Sequence, residues 1–400
     1  MIESLEPCYE LTLDDVQITL LGTAHVSRIS VEQVRRAIQR GDYDAIGVEL
    51  CRSRFNALTD PRVLAQMDLF SVIRQNRVAM VVANLALSAY QQRLADQFGI
   101  EPGAEQRIAL RLAKERELPI LLIDREVGIT LKRVAANLNW WKRYTLFAGL
   151  LTALVSHNDI TEDAVERLKE GDVLEMTFAE FAADQRDLYT PLIAERDQYM
   201  AAKLRREIAR LQVKRVLVVI GIGHLKGIAQ ALTQEQSPPA PTLLALEQIP
   251  PPSRWPTVLA WTLLLLILGG FIWGFTRDTA LGWTLVNTWI VLTGGLAAVG
   301  TLIARAHPLT IVAAFFAAPL TTLNPFIAVG MVTVAVELYL RPPNVGDFSR
   351  LRADVVQWRG WWHNRVARIF VLFLLSNLGA TLGIYIAGFQ MIDHLFHVTT

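Results

Sequence analysis

Two stretches of this 400-residue chain end an apolar run in glycine and then histidine. Leu20 to Ser27 reads LLGTAHVS and Val218 to Gly227 reads VVIGIGHLKG, so His25 and His224 each close a G-x-x-H loop. Glycine beside each histidine lets the backbone turn sharply and approach closely. A third apolar run, Ala45 to Leu50, carries Glu49 near its end, and a fourth, Ile120 to Asp124, closes on Asp124 and Arg125. Two imidazoles and a carboxylate are a sensible ligand set for Zn, Mn, Co or Fe with one position open to water. Water on such an ion is acidic enough to attack a carbonyl near neutral pH. Plainer readings exist: a strand-end histidine can be merely hydrogen-bonded, Glu49 could pair with Arg52 or Arg54, and Asp124 with Arg125. The repetition of G-x-x-H at equivalent positions favours a site.

These residues can meet only if their strands lie side by side. Gln17 to Leu21 is a short β-branched run ending in glycine, which reads as a strand. Ser30, with Gln33 three residues on, fits a capping box for a helix carrying Val31, Val34 and Ile38 and ending at Gly41. Ala45 to Leu50 is then a second strand, and a β-α-β unit of this length implies a parallel pair with a right-handed crossover. Ile120 to Asp124 and Arg215 to Ile220 add two more strands, and Thr242 to Glu247 reads as a last one. Helices fill most of 61–98, 104–117 and 128–212; within the last, Tyr144 to Val155 is apolar but too short to span a bilayer. The expected fold is α/β, a largely parallel sheet with many flanking helices. In such a sheet ligands gather beyond the carboxyl ends of the strands, where His25, Glu49, Asp124, Arg125 and His224 all fall.

Composition divides the chain in two. Residues 1–250 carry charge throughout, whereas 251–400 hold long apolar runs, so an α-helical membrane domain is expected to follow the α/β domain. Spans are expected at 256–275, 281–304 and 367–392, with tryptophans 255, 283, 361 and 362 near their ends as interfacial anchors. The segment 308–340 is too long for one helix and too short for two comfortable crossings, and its middle holds Pro319 and Asn324-Pro325. Arginines 341, 350, 352, 359, 365 and 368 crowd the next connection, against Arg277 alone between the first two spans. A re-entrant pair over 308–340 keeps that arginine-rich loop on the cytoplasmic side, as the positive-inside tendency asks. Irregular backbone at that depth needs protein cover, so a homo-oligomer, a dimer first, is expected. The N-terminus lacks the basic and apolar regions of a signal peptide, which points to an α/β domain facing the cytoplasm from the cytoplasmic membrane. A net charge of +1 gives no electrostatic case for nucleic acid, and two cysteines make no disulfide framework.

Taken in order, LLGTAHVS, GVELCRSR, LLIDREV, ERDQYMA and IGIGHLKGI, with HPLT, AAPLTTLNP and VELYLRPPNVGD in the membrane half, resemble the TraB/PrgY family. That family is related to the Tiki proteases and more remotely to erythromycin esterases and ChaN-like haem-binding proteins. The resemblance covers nearly the whole chain. It implies a Tiki/TraB-type α/β domain and, from the Tiki relatives, metal-dependent proteolysis centred on His25, Glu49 and His224. It also marks Arg52 or Arg54, Asp124, Arg125, Arg196, Asp197 and Met200. The implied roles are substrate or transition-state contacts for the arginines, orientation of a ligand for Asp197, and a possible general base for Glu195. From pattern alone, Glu195-Arg196-Asp197 reads as acidic capping of a helix. The expectation is a membrane-anchored peptidase using Mn, Co or Zn on small peptides. A non-catalytic protein that sequesters a peptide or metal is the alternative, and a transporter built on AAPLTTLNP a third. The esterase relatives imply one further variant, in which a histidine activates water without a metal.

Overall fold

The computed structural model describes residues 8–23, 28–59, 68–75, 103–139, 186–235, 237–251, 254–324 and 326–397, with scattered positions between 78 and 145. The chain divides into two units, Met1–Val63 with Tyr90–Pro251, and Leu64–Ala89 with Pro252–Thr400.

The first unit is built on a mixed, mostly parallel sheet of five strands, as the α/β pattern predicts. Strand β1 (Cys8–Leu13) turns through Asp14 and Asp15 into β2 (Val16–Thr23). Both aspartates have positive φ, which a two-residue hairpin loop matching the strand twist requires. Then come α1 (Arg28–Arg40), β3 (Ala45–Val48), α2 (Arg52–Thr59), α3 (Ala104–Glu115), β4 (Ile120–Leu122) and α4 (Val127–Asn137). A π turn over Thr190–Ala194 leads into α5 (Glu195–Leu211), followed by β5 (Arg215–Gly221), α6 (Ile222–Gln234) and α7 (Pro239–Glu247). The strand order is β1-β2-β5-β3-β4, with β1 antiparallel to β2 and every other neighbour pair parallel.

Strands buried on both faces read as unbroken apolar runs, and β5 does so from Val216 onward. Alternate residues serve opposite layers. Ile18, Leu20, Val216, Val218 and Ile220 pack under Met200, Leu204 and Ile208 of α5 and Leu225, Ile228 and Leu232 of α6. Leu21, Ile46, Val48, Leu217 and Val219 meet Val34 and Ile38 of α1 and Ile108 and Leu112 of α3. Thr23 is in register with Gly221 and Val48 with Val219, so β2, β5 and β3 end almost level.

Three expectations change. Thr242 to Glu247 is helical, not a strand: Pro239 presets the first turn, and Leu243 and Leu246 form a face that packs on Tyr199 and Ala202. The first helix begins by Arg28, so Ser30 is a buried residue inside it and not its cap. His224 lies in the first turn of α6, which starts at Ile222. The interface helix expected over 144–155 falls outside the described residues.

Among the described residues of the second unit, three helices are long and apolar enough to cross a bilayer: α8 (Trp255–Arg277), α9 (Thr279–Ile303) and α13 (Arg365–His397). Between α9 and α13 lie the shorter α10 (Pro308–Thr321) and α11 (Val329–Leu340), then α12 (Val345–Asp354) and a turn at Gly360–His363. Side chains at Gly300 and Gly379 would strike the backbone of the facing helix, so α9 and α13 pack at near backbone contact. Trp289 packs with Ile267, Leu285, Ala387 and Met391, joining α8, α9 and α13. Glu337, near the end of α11, is buried; its Oε2 accepts hydrogen bonds from His307 N (2.8 Å) and Thr310 Oγ1 (2.7 Å) at the start of α10.

Candidate active site

The level ends of β3 and β5 bring Glu49 and His224 together. Glu49 is almost fully buried, and its Oε2 accepts the Gly221 backbone N–H at 2.7 Å across the strand pair. That donor is available because β5 ends there and α6 begins. Thr23 Oγ1 donates to Ile220 O at 3.1 Å and ties the end of β2 to the same strand. His224 is fully buried, with Nε2 3.6 Å from Glu49 Oε1. Its Nδ1 lies 2.5 Å from Asp197 Oδ1 on α5. Burial pushes the Asp197 carboxyl above its ordinary value, against the pull of His224 and Arg196. The contact lets the carboxylate fix which ring nitrogen faces Glu49.

The neighbouring Arg196 draws two carboxylates to one guanidinium. Nη2 donates to Glu49 Oε1 at 2.6 Å and to Asp124 Oδ2 at 3.1 Å, while Nε donates to Asp124 Oδ1 at 3.0 Å. Its planar fork suits this bidentate hold on Asp124. Asp124 follows β4, so four elements converge here: the ends of β3 and β4, the first turn of α5 and the first turn of α6. Arg54 is half-exposed, with Nη1 3.9 Å from Asp124 Oδ2. Arg52 is exposed on the same helix. Glu126, which precedes α4, accepts from Ser53 N (3.2 Å) and Ser53 Oγ (2.6 Å) and so pins the start of α2.

Arg125 and Glu195 belong to a second cluster. Arg125 is fully buried and donates to Thr130 Oγ1 (3.0 Å), Glu195 Oε2 (2.8 Å), Pro191 O (2.8 Å) and Leu246 O (3.2 Å). Arg133 grips the same carboxylate through Nε (2.6 Å) and Nη2 (2.8 Å). Burial alone would raise the Glu195 carboxyl, but the two arginines outweigh it and hold it below its ordinary value. This network joins α4, α5 and α7. Met200 is buried in the core beneath β5.

His25 lies outside the described residues. Among the described residues no group of three or more His, Cys, Asp or Glu side chains could hold a metal ion. Glu49 and His224 supply two donors, and the 3.6 Å between them is close to the roughly 3.4 Å expected for two ligands on one tetrahedral ion with bonds of about 2.1 Å. Two contributors escaped the sequence. Arg133 sits in LKRVAAN, which looks like an ordinary solvated face. Gly227, three residues past His224, has no room for a side chain, because a Cβ there would overlap the Asp197 carboxylate.

Comparison with known proteins covers both units. Residues 8–238 match the model of the TraB/PrgY/gumN family, and residues 255–396 match that of the TraB family protein, C-terminal domain. An uncharacterized protein of Methanocaldococcus jannaschii is 29% identical over 381 residues, 93% of this chain and 94% of the relative. TraB domain-containing proteins of Bos taurus and Homo sapiens are 31% and 29% identical over 264 residues, 60% of this chain and 67% and 68% of theirs.

Proposed function

The chain belongs to the TraB/PrgY/gumN family, and from that premise we propose that it is a membrane-anchored hydrolase of small peptides, with Glu49 and His224 at its reactive centre. The observation that carries this reading is the buried His224, held by Asp197 on one nitrogen and facing Glu49 with the other. An imidazole oriented in this way takes a proton at Nε2 and passes it on without turning. Arg196 holds Glu49 and Asp124 side by side, and Arg54 at the rim faces the carboxylate end of a peptide. Arg125 and Glu195 act as scaffold, since their hydrogen-bonding groups are spent on α4, α5 and α7.

Glu49 and His224, with His25 as third donor, would hold a divalent ion such as Mn, Co or Zn. When bound, the ion would supply an acidified water. Arg196 favours a second reading, because its guanidinium already neutralises the Glu49 oxygen that such an ion would share. In that reading His224 activates water directly.

The test uses full-length protein in detergent, dialysed against Mn, Co and Zn in turn, with metal content by mass spectrometry and hydrolysis of a peptide library as readouts. One ion per chain, lost together with hydrolysis in His224→Ala, supports the metal reading. Hydrolysis without an ion, lost in the same variant, supports the histidine base. Saturable peptide binding without hydrolysis, unchanged in Glu49→Ala, would overturn both and leave a sequestering protein.

The α/β unit is proposed to face the cytoplasm. Helices α10 and α11 are proposed as a re-entrant pair, for at 1.5 Å per residue they reach about 21 and 18 Å, short of the roughly 30 Å hydrocarbon core. The contacts of Glu337 with His307 and Thr310 support a return to the side of entry.

A further inference from the structure

One end of the second unit gathers basic side chains around a few fixed contacts. Trp362 Nε1 donates to Ile303 O at 2.8 Å, so the Gly360–His363 turn caps the end of α9. Arg365 Nη1 donates to Pro342 O (3.3 Å), and Asn364 Nδ2 to Asp347 O (2.7 Å), which folds the connection from α11 to α13 back on itself. Glu337 draws Arg368 and Arg341 to 3.6 and 3.9 Å and also accepts from His307. Arg305, Arg341, Arg350, Arg359, Arg365 and Arg368 therefore share this end. The connection between α8 and α9, at the far ends of those helices, offers Arg277 and Asp278.

The carboxylates at the basic end are already engaged. Glu337 is buried, Asp347 completes a capping box with Asn344, and Asp354 accepts from Asn364 Nδ2 at 2.9 Å. Arg350, Arg359, Arg365 and Arg305 are exposed, and among the described residues Arg350 and Arg359 form no salt bridge with a carboxylate. Apolar and aromatic side chains are exposed among them: Val345, Trp358, whose ring is tilted by 57° against that of Trp362 at 4.5 Å, and Tyr339. On the inner side of the same segment, Phe348, Leu351, Val355 and Trp361 are buried. Such a segment, with arginines and tryptophan side by side at the ends of apolar helices, has the make-up of one that lies in the headgroup layer. Guanidinium forks match phosphate oxygens bidentately, and basic clusters beside membrane helices attract anionic lipid.

We propose that the rim formed by α12, the Gly360–His363 turn and the start of α13 is a binding site for anionic phospholipid headgroups, with Arg350 and Arg359 as its phosphate contacts and Trp358 against the acyl-glycerol region. The site is independent of the proposed hydrolytic centre.

The test titrates short-chain phosphatidylglycerol into full-length protein in a non-ionic detergent and reads retained lipid by native mass spectrometry. Short-chain phosphatidylcholine and inorganic phosphate form parallel arms. Phosphatidylglycerol should bind saturably and phosphatidylcholine should not. Each arginine removed should weaken binding about fivefold, so Arg350→Gln with Arg359→Gln should cost well over tenfold. Helical content and unfolding midpoint should not move, because neither side chain holds the fold. Equal binding of both lipids, or undiminished phosphatidylglycerol affinity in the double variant, overturns the proposal. Displacement of the lipid by millimolar phosphate does so too, since it would mark a free-anion site. If the double variant fails to fold, the two lipid arms on the unmodified chain still decide.

Discussion

Gly227 shows how much of the candidate site depends on a residue without a side chain. A methyl group there collides with the carboxylate that orients His224, and the neighbouring helix leaves little slack. Gly227→Ala should cost about 1–3 kcal/mol through overpacking and reduce hydrolysis by at least the roughly ten- to hundredfold expected when a histidine loses its orienting partner. Asp197→Asn, which removes the charge but not the volume, should reproduce the loss in kcat/KM with a smaller loss in denaturant midpoint. A G227A protein with unaltered kcat/KM would remove Asp197 from the mechanism. Glu195 makes the opposite case. Arg125 and Arg133 hold its folded pKa low, so its stabilising contribution is complete above the ordinary carboxylate range and is lost as pH falls through the lowered value. Glu195→Ala leaves Arg125 buried without its counter-charge and should cost about 3–5 kcal/mol at neutral pH. The gap in unfolding midpoint between wild type and Glu195→Gln should narrow in acid. A gap that is constant with pH would show that the ion pair adds nothing.

At the scale of elements, the strands that carry the site were the most legible part of the sequence. Parallel strands covered on both faces must be apolar throughout, and AIGVEL, ILLID and RVLVVI satisfy that without ambiguity. β1 was not legible, because CYELTL is an edge strand with most of its side chains exposed and no core face to give it a period. TLLALE misled for a related reason: a short apolar run fits a strand or a buried helix turn, and the preceding prolines decide only once Leu243 and Leu246 have found Tyr199. The Arg125-Glu195-Arg133 network was invisible, since it joins residues about 60–70 apart whose local patterns look like capping and a solvated face. Helix α10 supplies a further test. Its first turn is satisfied by Glu337, with Arg368 and Arg341 close by. Glu337→Ala should strip that turn of its acceptor and lower unfolding stability by about 3–5 kcal/mol, measured on detergent-solubilised protein. A loss below about 1 kcal/mol would mean that the pair docks without it.

For the whole molecule, the proposed re-entrant turn between α10 and α11 makes a prediction about which way the arginine-rich end points. Exposed Cys8 is a native reporter for the side occupied by the α/β unit. In a Cys8→Ser background, where the remaining Cys51 is buried, cysteines introduced at Thr279 and Asn344 can be probed in intact cells with a membrane-impermeant maleimide. Thr279→Cys should react from outside, and Asn344→Cys only after permeabilisation, as should Cys8 in the unmodified chain. External labelling of Asn344→Cys with Cys8 protected would show that α10 and α11 do not return to the side of entry.

The strand order carries a consequence for synthesis. β5 is the last strand made, yet it lies in the middle, between β2 and β3, which do not touch without it. About 170 residues separate β3 from β5, so at 5–20 residues per second the ribosome needs roughly ten to thirty seconds to cover the distance. During that interval β2 and β3 each hold an unpaired edge, the sort of surface that recruits other chains. Glu49 has no His224 to face, and the candidate site forms only when the final strand is threaded between its neighbours. A chain that stalls before Arg215 is therefore not a slower version of the protein but a pair of open edges, and chaperone binding to such stalled chains should end abruptly once β5 has emerged.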